Sequence, residues 1–140
     1  MPEFFIRLLE AAGLILAGWL IFRLASSASL ARAGRAAAQN EPGERLFEPG
    51  RPAVLYFTTL QCVTCKTFQR PQLRRLADML GDRVQVVEID AGEKPGLAGS
   101  WGVLSVPTTF IIGPDGAPRH VNHGAVTAEK LAQQIQSASQ

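Results

Sequence analysis

The stretch that decides the fold of this chain reads Ala53-Val54-Leu55-Tyr56-Phe57-Thr58-Thr59-Leu60-Gln61-Cys62-Val63-Thr64-Cys65-Lys66. It opens with a continuous apolar run that is typical of a buried strand, and a helix-like run follows the cysteines. Those two cysteines are the only ones in the chain. Cysteines at this spacing on a helix lie about 5–6 Å apart, a separation that a disulfide tolerates.

The cysteine pair carries the chemical signal of the sequence. Cys62 falls where the helix begins, and the unpaired N–H groups and positive dipole end there favour a thiolate, which is the nucleophile in thiol–disulfide exchange. A zinc site would need further ligands, and only His120 and His123 are available to complete a Cys2His2 set. A purely structural disulfide would close a loop too small to stabilise the fold much. The strand, cysteine pair and helix together therefore predict redox chemistry.

Elements further along the chain predict a small α/β domain. A helix is expected from the cysteines to about residue 80, kinked at Pro71. Strands are expected at 84–90, 108–112 and 117–122, with a turn at 113–116 and at most a short helix within 92–102. Thr127 is the expected N-cap of a final helix. The first two strands are joined through a helix and should be parallel, whereas the last two should form an antiparallel hairpin.

The N-terminal segment differs in character from the rest. Residues 11–22 form an uncharged apolar run, and residues 4–22 are long enough to span a bilayer if Arg7 and Glu10 pair on one helix face. We interpret 1–24 as a retained transmembrane anchor, 25–50 as a linker in which Leu46 and Phe47 suit a short edge strand, and 51–140 as the domain. The alternatives are a signal peptide cleaved near residues 25–28 and a helix that belongs to the domain.

The charge distribution argues against a nucleic-acid partner and does not settle the side of the membrane on which the domain lies. Residues 41–140 are electrically balanced, so the excess positive charge of the chain lies in the N-terminal segment and no basic stripe predicts nucleic-acid binding. The arginines that follow the apolar run, Arg23, Arg32 and Arg35, outnumber Arg7 before it, and this places the domain in the cytoplasm. The opposite orientation, with the domain outside the membrane, stays open as well.

From residue 52 to about 137 the chain resembles the thioredoxin family. The resemblance lies in the strand–Cys62-x-x-Cys65-Lys66–helix unit, in Glu88-Ile89-Asp90 at the end of a strand, in Ser105-Val106-Pro107-Thr108 and in Gly124-Ala125. It implies a thioredoxin fold, in which helices flank a central mixed sheet. It further implies that Cys62 is the exposed nucleophile, that Cys65 is the buried resolving cysteine and that Pro107 follows a cis peptide bond facing them. The substrate groove implied is formed by Gln61, Val63, Thr64, Val106 and Pro107.

Four residues depart from the pattern of the family. Gln61 stands where the family has an active-site tryptophan, and Val63-Thr64 replaces the usual Gly-Pro pair. Tyr56 stands where the family has a buried acidic residue that relays protons to the buried thiol. These departures point to a specialised, membrane-tethered relative in which proton transfer runs differently, with Tyr56 itself interpreted as core packing.

The sequence thus predicts a membrane-tethered thiol–disulfide oxidoreductase of the thioredoxin type. Its expected partners are protein thiols or disulfides and an electron donor or acceptor protein, and the resemblance implies no cofactor or metal. Two alternatives stay open: a carrier that binds a soft, copper-like ion through both thiolates, and a redox-inert docking module. Few methionines accompany the pair, which disfavours the carrier, and the intact cysteine pair disfavours the inert module.

Overall fold

The computed structural model describes residues 1–38 and 45–140. Helix α1 covers Pro2–Ala38, and the rest of the described chain forms an α/β domain. The domain contains, in chain order, β1 (Ala53–Thr58), α2 (Arg70–Leu80), β2 (Gln85–Asp90), α3 (Pro95–Ser100), β3 (Thr108–Ile112), β4 (Pro118–His123) and α4 (Ala128–Ala138). The expected α/β architecture around a mixed sheet is confirmed.

The sheet has the strand order β2-β1-β3-β4, and its pairings define two poles. β1 is parallel to β2 and antiparallel to β3, and β4 is antiparallel to β3, as predicted. Thr58 therefore lies beside Asp90, Phe57 beside Thr108, and Thr108 beside His123. We call this end of the sheet, where β1 leads into the cysteines, the cysteine pole. The opposite pole contains Ala53, Gln85 and the β3–β4 turn.

Local details agree with the sequence predictions in most places. Thr127 caps α4 by accepting a hydrogen bond from the Lys130 N–H. A wide π-helical turn, Cys65–Gln69, ends two residues before Pro71, and such turns and prolines are the usual sites of helix irregularity. The edge strand suggested at Leu46 and Phe47 is wrong: the segment is irregular, and Phe47 instead buries its ring against the domain.

Each face of the sheet is covered by its own hydrophobic cluster, because the side chains of β1 and β3 alternate between the two faces. One cluster lies under α2 and α4 and contains Cys65, with members Val54, Tyr56, Leu73, Leu76, Val84, Ile111, Val126, Ala128, Leu131 and Ile135. The second lies under α3 and the end of α1, with members Ala33, Phe47, Ala53, Leu55, Phe57, Ile89, Ala98, Trp101, Phe110 and Ile112.

The last turns of α1 pack against the second cluster. Ala33 is fully buried, and Ser29, one turn earlier, is buried as well. Gly102 lies against the same helix, since a Cβ atom there would approach the Arg32 Cδ to 3.2 Å. The alanine-rich part of the expected linker is therefore helical as far as Ala38 and covers one face of the sheet. The division into 1–24, 25–50 and 51–140 stays a prediction, and its residues 39–44 lie outside the described residues.

The first part of α1 is apolar and exposed. The helix is long and apolar enough to cross a membrane, and none of its most apolar window is buried within the domain. A signal sequence at the N-terminus has the same properties, so the retained anchor and the cleaved signal both agree with this helix. The side chains exposed here include Phe4, Ile6, Leu14, Trp19 and Phe22.

Candidate active site

The two cysteines form a disulfide at the cysteine pole. Their sulfur atoms are 2.07 Å apart, and their Cα atoms are 5.3 Å apart. Cys62 is half-buried at the end of the loop that follows β1, whereas Cys65 is completely buried in the first turn of the helix. Solvent therefore reaches one sulfur far more readily than the other.

The backbone around the pair favours negative charge on Cys62. The Cys65 N–H points at the Cys62 Sγ over 3.1 Å, as expected for a free donor at the start of a helix. A thiolate at Cys62 would accept this hydrogen bond and face the positive end of the helix dipole, and both effects stabilise the negative charge. Lys66 is exposed, so solvent screens its charge.

The residues predicted to form a groove lie near the pair at the same pole. Gln61, Val63 and Thr64 are exposed on the loop and first turn around the cysteines. The Val106–Pro107 peptide bond is cis, and Val106 packs with Cys62 against the cluster that contains Cys65. Within the described residues, neither the N–H nor the C=O of Val106 takes part in a hydrogen bond. An extended peptide could therefore pair with this backbone next to Cys62.

A buried phenol lies behind the cysteine pair. Tyr56 is completely buried in the cluster that also contains Cys65, and its hydroxyl has no hydrogen-bond partner among the described residues. Burial raises the pKa of the Tyr56 phenol above its usual value, so the group is neutral at physiological pH. Arg70, which bonds Glu88 over 2.7 Å, lies close enough to influence the phenol. The interior here thus contains a neutral phenol where the thioredoxin pattern has a carboxylate.

One residue that positions the site was not singled out from the sequence. Gln69 ends the π-helical turn that begins at Cys65, and its side chain is completely buried. It accepts a hydrogen bond from the Val126 N–H over 2.9 Å and donates one to the Val126 C=O over 3.1 Å. The sequence signal that could have identified Gln69 is its position, since it is a polar residue on the same helix face as Cys65 and Leu73. Gln69 thereby fixes the cysteine-bearing turn to the segment that leads into α4.

We expect Gln69→Ala to lower the free energy of unfolding by about 2–4 kcal/mol, because two buried backbone groups of Val126 lose their partners. The matched control is Gln72→Ala. Gln72 is half-buried and accepts a single hydrogen bond, from the Ala128 N–H, so a smaller loss of about 1 kcal/mol is expected. Urea unfolding of the full-length protein in detergent micelles measures both, and equal losses would contradict the role of Gln69.

The histidines considered as zinc ligands do not join the cysteines. Both lie on β4, His120 opposite Ile111 and His123 opposite Thr108. Across residues 1–38 and 45–140, no three His, Cys, Asp or Glu side chains are close enough to hold a metal ion together. The Cys2His2 set is therefore not assembled in this fold.

Comparison with known proteins agrees with this geometry. The family model for thioredoxin matches residues 37–137. Thioredoxin Y from the chloroplast of Oryza sativa is 36% identical over 95 residues, which are 68% of this chain and 55% of that protein. The thiol:disulfide interchange protein DsbE of Allochromatium vinosum is 34% identical over 67 residues, which are 48% of this chain and 36% of that protein. The chain thus spans about half the length of the first curated relatives it matches.

Solved structures support the same assignment. Fasciola hepatica thioredoxin superposes with a TM-score of 0.57 and 25% identity, over 65% of this chain and 84% of that one. StoA from Bacillus subtilis shares the fold, with a TM-score of 0.53 and 22% identity over 62% of this chain and 84% of that one. The family match covers most of the chain, and the fold and the cysteine pair are those that the sequence predicted. This chain is a member of the thioredoxin family.

Proposed function

We propose that this protein is a membrane-tethered thiol–disulfide oxidoreductase in which Cys62 is the nucleophile and Cys65 the resolving cysteine. The observation that carries the proposal is the difference between the two sulfurs. Cys62 is half-exposed and accepts a hydrogen bond from the helix start, whereas Cys65 is buried. A nucleophile must meet its substrate, and a resolving thiol needs only to reach its neighbour.

The reaction conserves atoms and electrons. The Cys62 thiolate attacks one sulfur of a substrate disulfide, a mixed disulfide forms, and the other substrate sulfur leaves as a thiolate that takes up a proton. Cys65 then loses its proton and attacks the Cys62 sulfur, which releases the second substrate thiol. The substrate gains two electrons and two protons, and the protein ends as the Cys62–Cys65 disulfide. A dithiol protein must return it to the reduced state, and in the opposite direction a disulfide protein accepts the electrons.

The groove gives the substrate a place to bind. The Val106 backbone, which makes no hydrogen bond among the described residues, offers one donor and one acceptor to an extended peptide, and Gln61, Val63 and Thr64 are exposed next to the cysteines in the chain. Main-chain hydrogen bonds supply affinity that does not depend on the side chains of the substrate, and this suits exchange with several substrates. The proposed tether is the exposed apolar part of α1. The printed name of the Allochromatium vinosum relative, a thiol:disulfide interchange protein, supports the same class of reaction.

The test is a single-turnover exchange. The full-length protein, reduced and freed of reductant, is mixed with a peptide that contains one intramolecular disulfide. We expect one peptide disulfide to be reduced for each Cys62–Cys65 disulfide formed, as measured by acid quenching, alkylation and mass spectrometry. Failure to exchange at any pH at which the protein is folded would overturn the proposal and favour a redox-inert module.

The copper-carrier alternative has a separate outcome. A carrier would hold one copper(I) ion against a competing chelator and would show no turnover of the peptide disulfide. Exchange with the stoichiometry given above excludes that outcome as the main function.

A further inference from the structure

The direction in which α1 leaves the domain carries a further inference. At its C-terminal end, Gly34, Ala37 and Ala38 face residues 115–118, which form the turn at the opposite pole. Earlier in the helix, Phe22, Ser26 and Leu30 line a groove with β4 and with residues 125–127, which follow β4 at the cysteine pole. Followed backwards from Ala38, the helix thus runs along the domain towards the cysteine pole.

Helix and strand lengths agree with this path. The helix rises about 24 Å between Ala38 and Phe22, whereas the strand β4 spans about 20 Å. At Phe22 the helix has thus reached the cysteine pole, where residues 125–127 line the same groove. Residues 4–22, which rise about 28 Å, project beyond the cysteine pole, and this length matches the roughly 30 Å of bilayer hydrocarbon.

For a helix that is retained in a bilayer, the membrane boundary would fall where the helix meets the domain. The guanidinium of Arg23 lies 5.1 Å from the ring centroid of Trp19, and tryptophan and arginine both favour the level of the lipid headgroups. Phe22, between them, already lines the groove on the domain. The helix is continuous from Pro2 to Ala38, so no flexible segment separates the span from the docked turns. A helix retained in this way would hold the domain directly against the bilayer.

The surface turned towards the bilayer is apolar around the cysteines. Leu60 and Val63, which flank Cys62, are 63% and 70% exposed, and Leu104, on the loop leading to Pro107, is 81% exposed. Apart from α1, these are the three most exposed large apolar side chains among the described residues. Their position at one pole, beside the exposed sulfur, is the arrangement expected of a surface that meets apolar material.

We infer that α1 holds the cysteine pole against the bilayer surface, so that the substrates are cysteine pairs of membrane proteins at the level of the lipid headgroups. The inference rests on the proposed function, because it needs α1 to be retained in the membrane and Cys62 to exchange with substrate. A cysteine pair far from the bilayer could reach Cys62 only if its polypeptide chain passed around the domain. Those displayed at the headgroups would meet Cys62 at a high effective concentration.

The first arm of the test measures orientation. The full-length protein with Cys62→Ser and Cys65→Ser receives one new cysteine for a fluorescent label, at Leu104, at Asp82 of the opposite pole or at Leu14 of the span, and is reconstituted in phosphatidylcholine–phosphatidylglycerol vesicles. A nitroxide on the lipid headgroup should quench the Leu104→Cys label several-fold more than the Asp82→Cys label, and a nitroxide on the acyl chain should quench Leu14→Cys. Equal quenching at Leu104 and Asp82, or stronger quenching at Asp82, overturns the inference.

The second arm measures substrate class with the unmodified cysteine pair. A disulfide peptide is anchored in the same vesicles through either a short or a long polyethylene glycol spacer. We expect the short-spacer peptide to react about tenfold or more faster than the long-spacer peptide. Insertion of ten glycine and serine residues between Arg23 and Leu24 should remove the difference. Equal rates for both spacers overturn the inference and leave the proposed function intact.

Failure of the proposed function has a different signature. If the Leu14→Cys label is not quenched from the acyl chains, the tether is absent and the inference falls with it. If no anchored or soluble peptide exchanges with Cys62, the redox proposal is wrong, whatever the orientation.

Discussion

Replacing Cys62 with serine is expected to abolish thiol–disulfide exchange, with a loss of about 10³-fold or more, as is usual when a covalent nucleophile is removed. The serine hydroxyl does not ionise near neutral pH, and the remaining Cys65 is completely buried. A substrate disulfide therefore meets no reactive thiolate. Quenched-flow measurement of mixed-disulfide formation with a disulfide peptide gives the rate directly.

The matched variant Cys65→Ser should behave in the opposite way. Its Cys62 keeps the helix start and the exposure that favour attack, so the first step proceeds. The second step lacks its thiol, and the mixed disulfide accumulates. Non-reducing gels followed by mass spectrometry should show peptide or client adducts on Cys65→Ser and none on Cys62→Ser. Equal trapping by both variants would show that the roles of the two cysteines are assigned wrongly.

A chain that begins at Glu41 is expected to be less stable than the full-length protein by about 3–5 kcal/mol, a loss comparable to the removal of a large core side chain. Such a chain lacks Ser29 and Ala33, which are buried against the domain. Their loss exposes part of the cluster around Trp101 and Phe110, whose rings lie 5.3 Å apart. A chain that begins at Ser26 retains these turns and should keep most of the stability, as measured by urea unfolding.

Point variants separate packing from the loss of the membrane segment. Ala33→Glu places a charge in a fully buried position and should destabilise the full-length protein by several kcal/mol, of the order of 3–5. Ala31→Glu makes the same change on an exposed face of the same helix and should cost less than about 0.5 kcal/mol. If the two variants are equally stable, or if the chain from Glu41 matches the full-length protein, α1 does not contribute to the core.

Local sequence rules were sufficient to predict much of the fold. The apolar run before Cys62 and the strand 108–112 were predicted from continuous hydrophobic content, and Thr127 from its capping chemistry. The cysteine pair could be found because its spacing, its preceding strand and its following helix all lie close together in the sequence. The element at 46–47 was predicted wrongly, because two adjacent apolar residues fit an edge strand and a loop with a buried ring equally well.

By itself, the sequence predicted the cysteine pair and the local elements that hold it, since these depend on neighbours within a few residues. The features that depend on long-range contacts could be known only from the tertiary structure. The burial of Gln69 against Val126 joins residues 57 positions apart, and no periodicity encodes such a pair. The sequence does not predict the docking of Ala33 under the sheet either, because an alanine-rich helix carries no clear apolar stripe. That docking also fixes the direction in which α1 leaves the domain, which local signals cannot specify because it is a relation between a helix and a whole sheet.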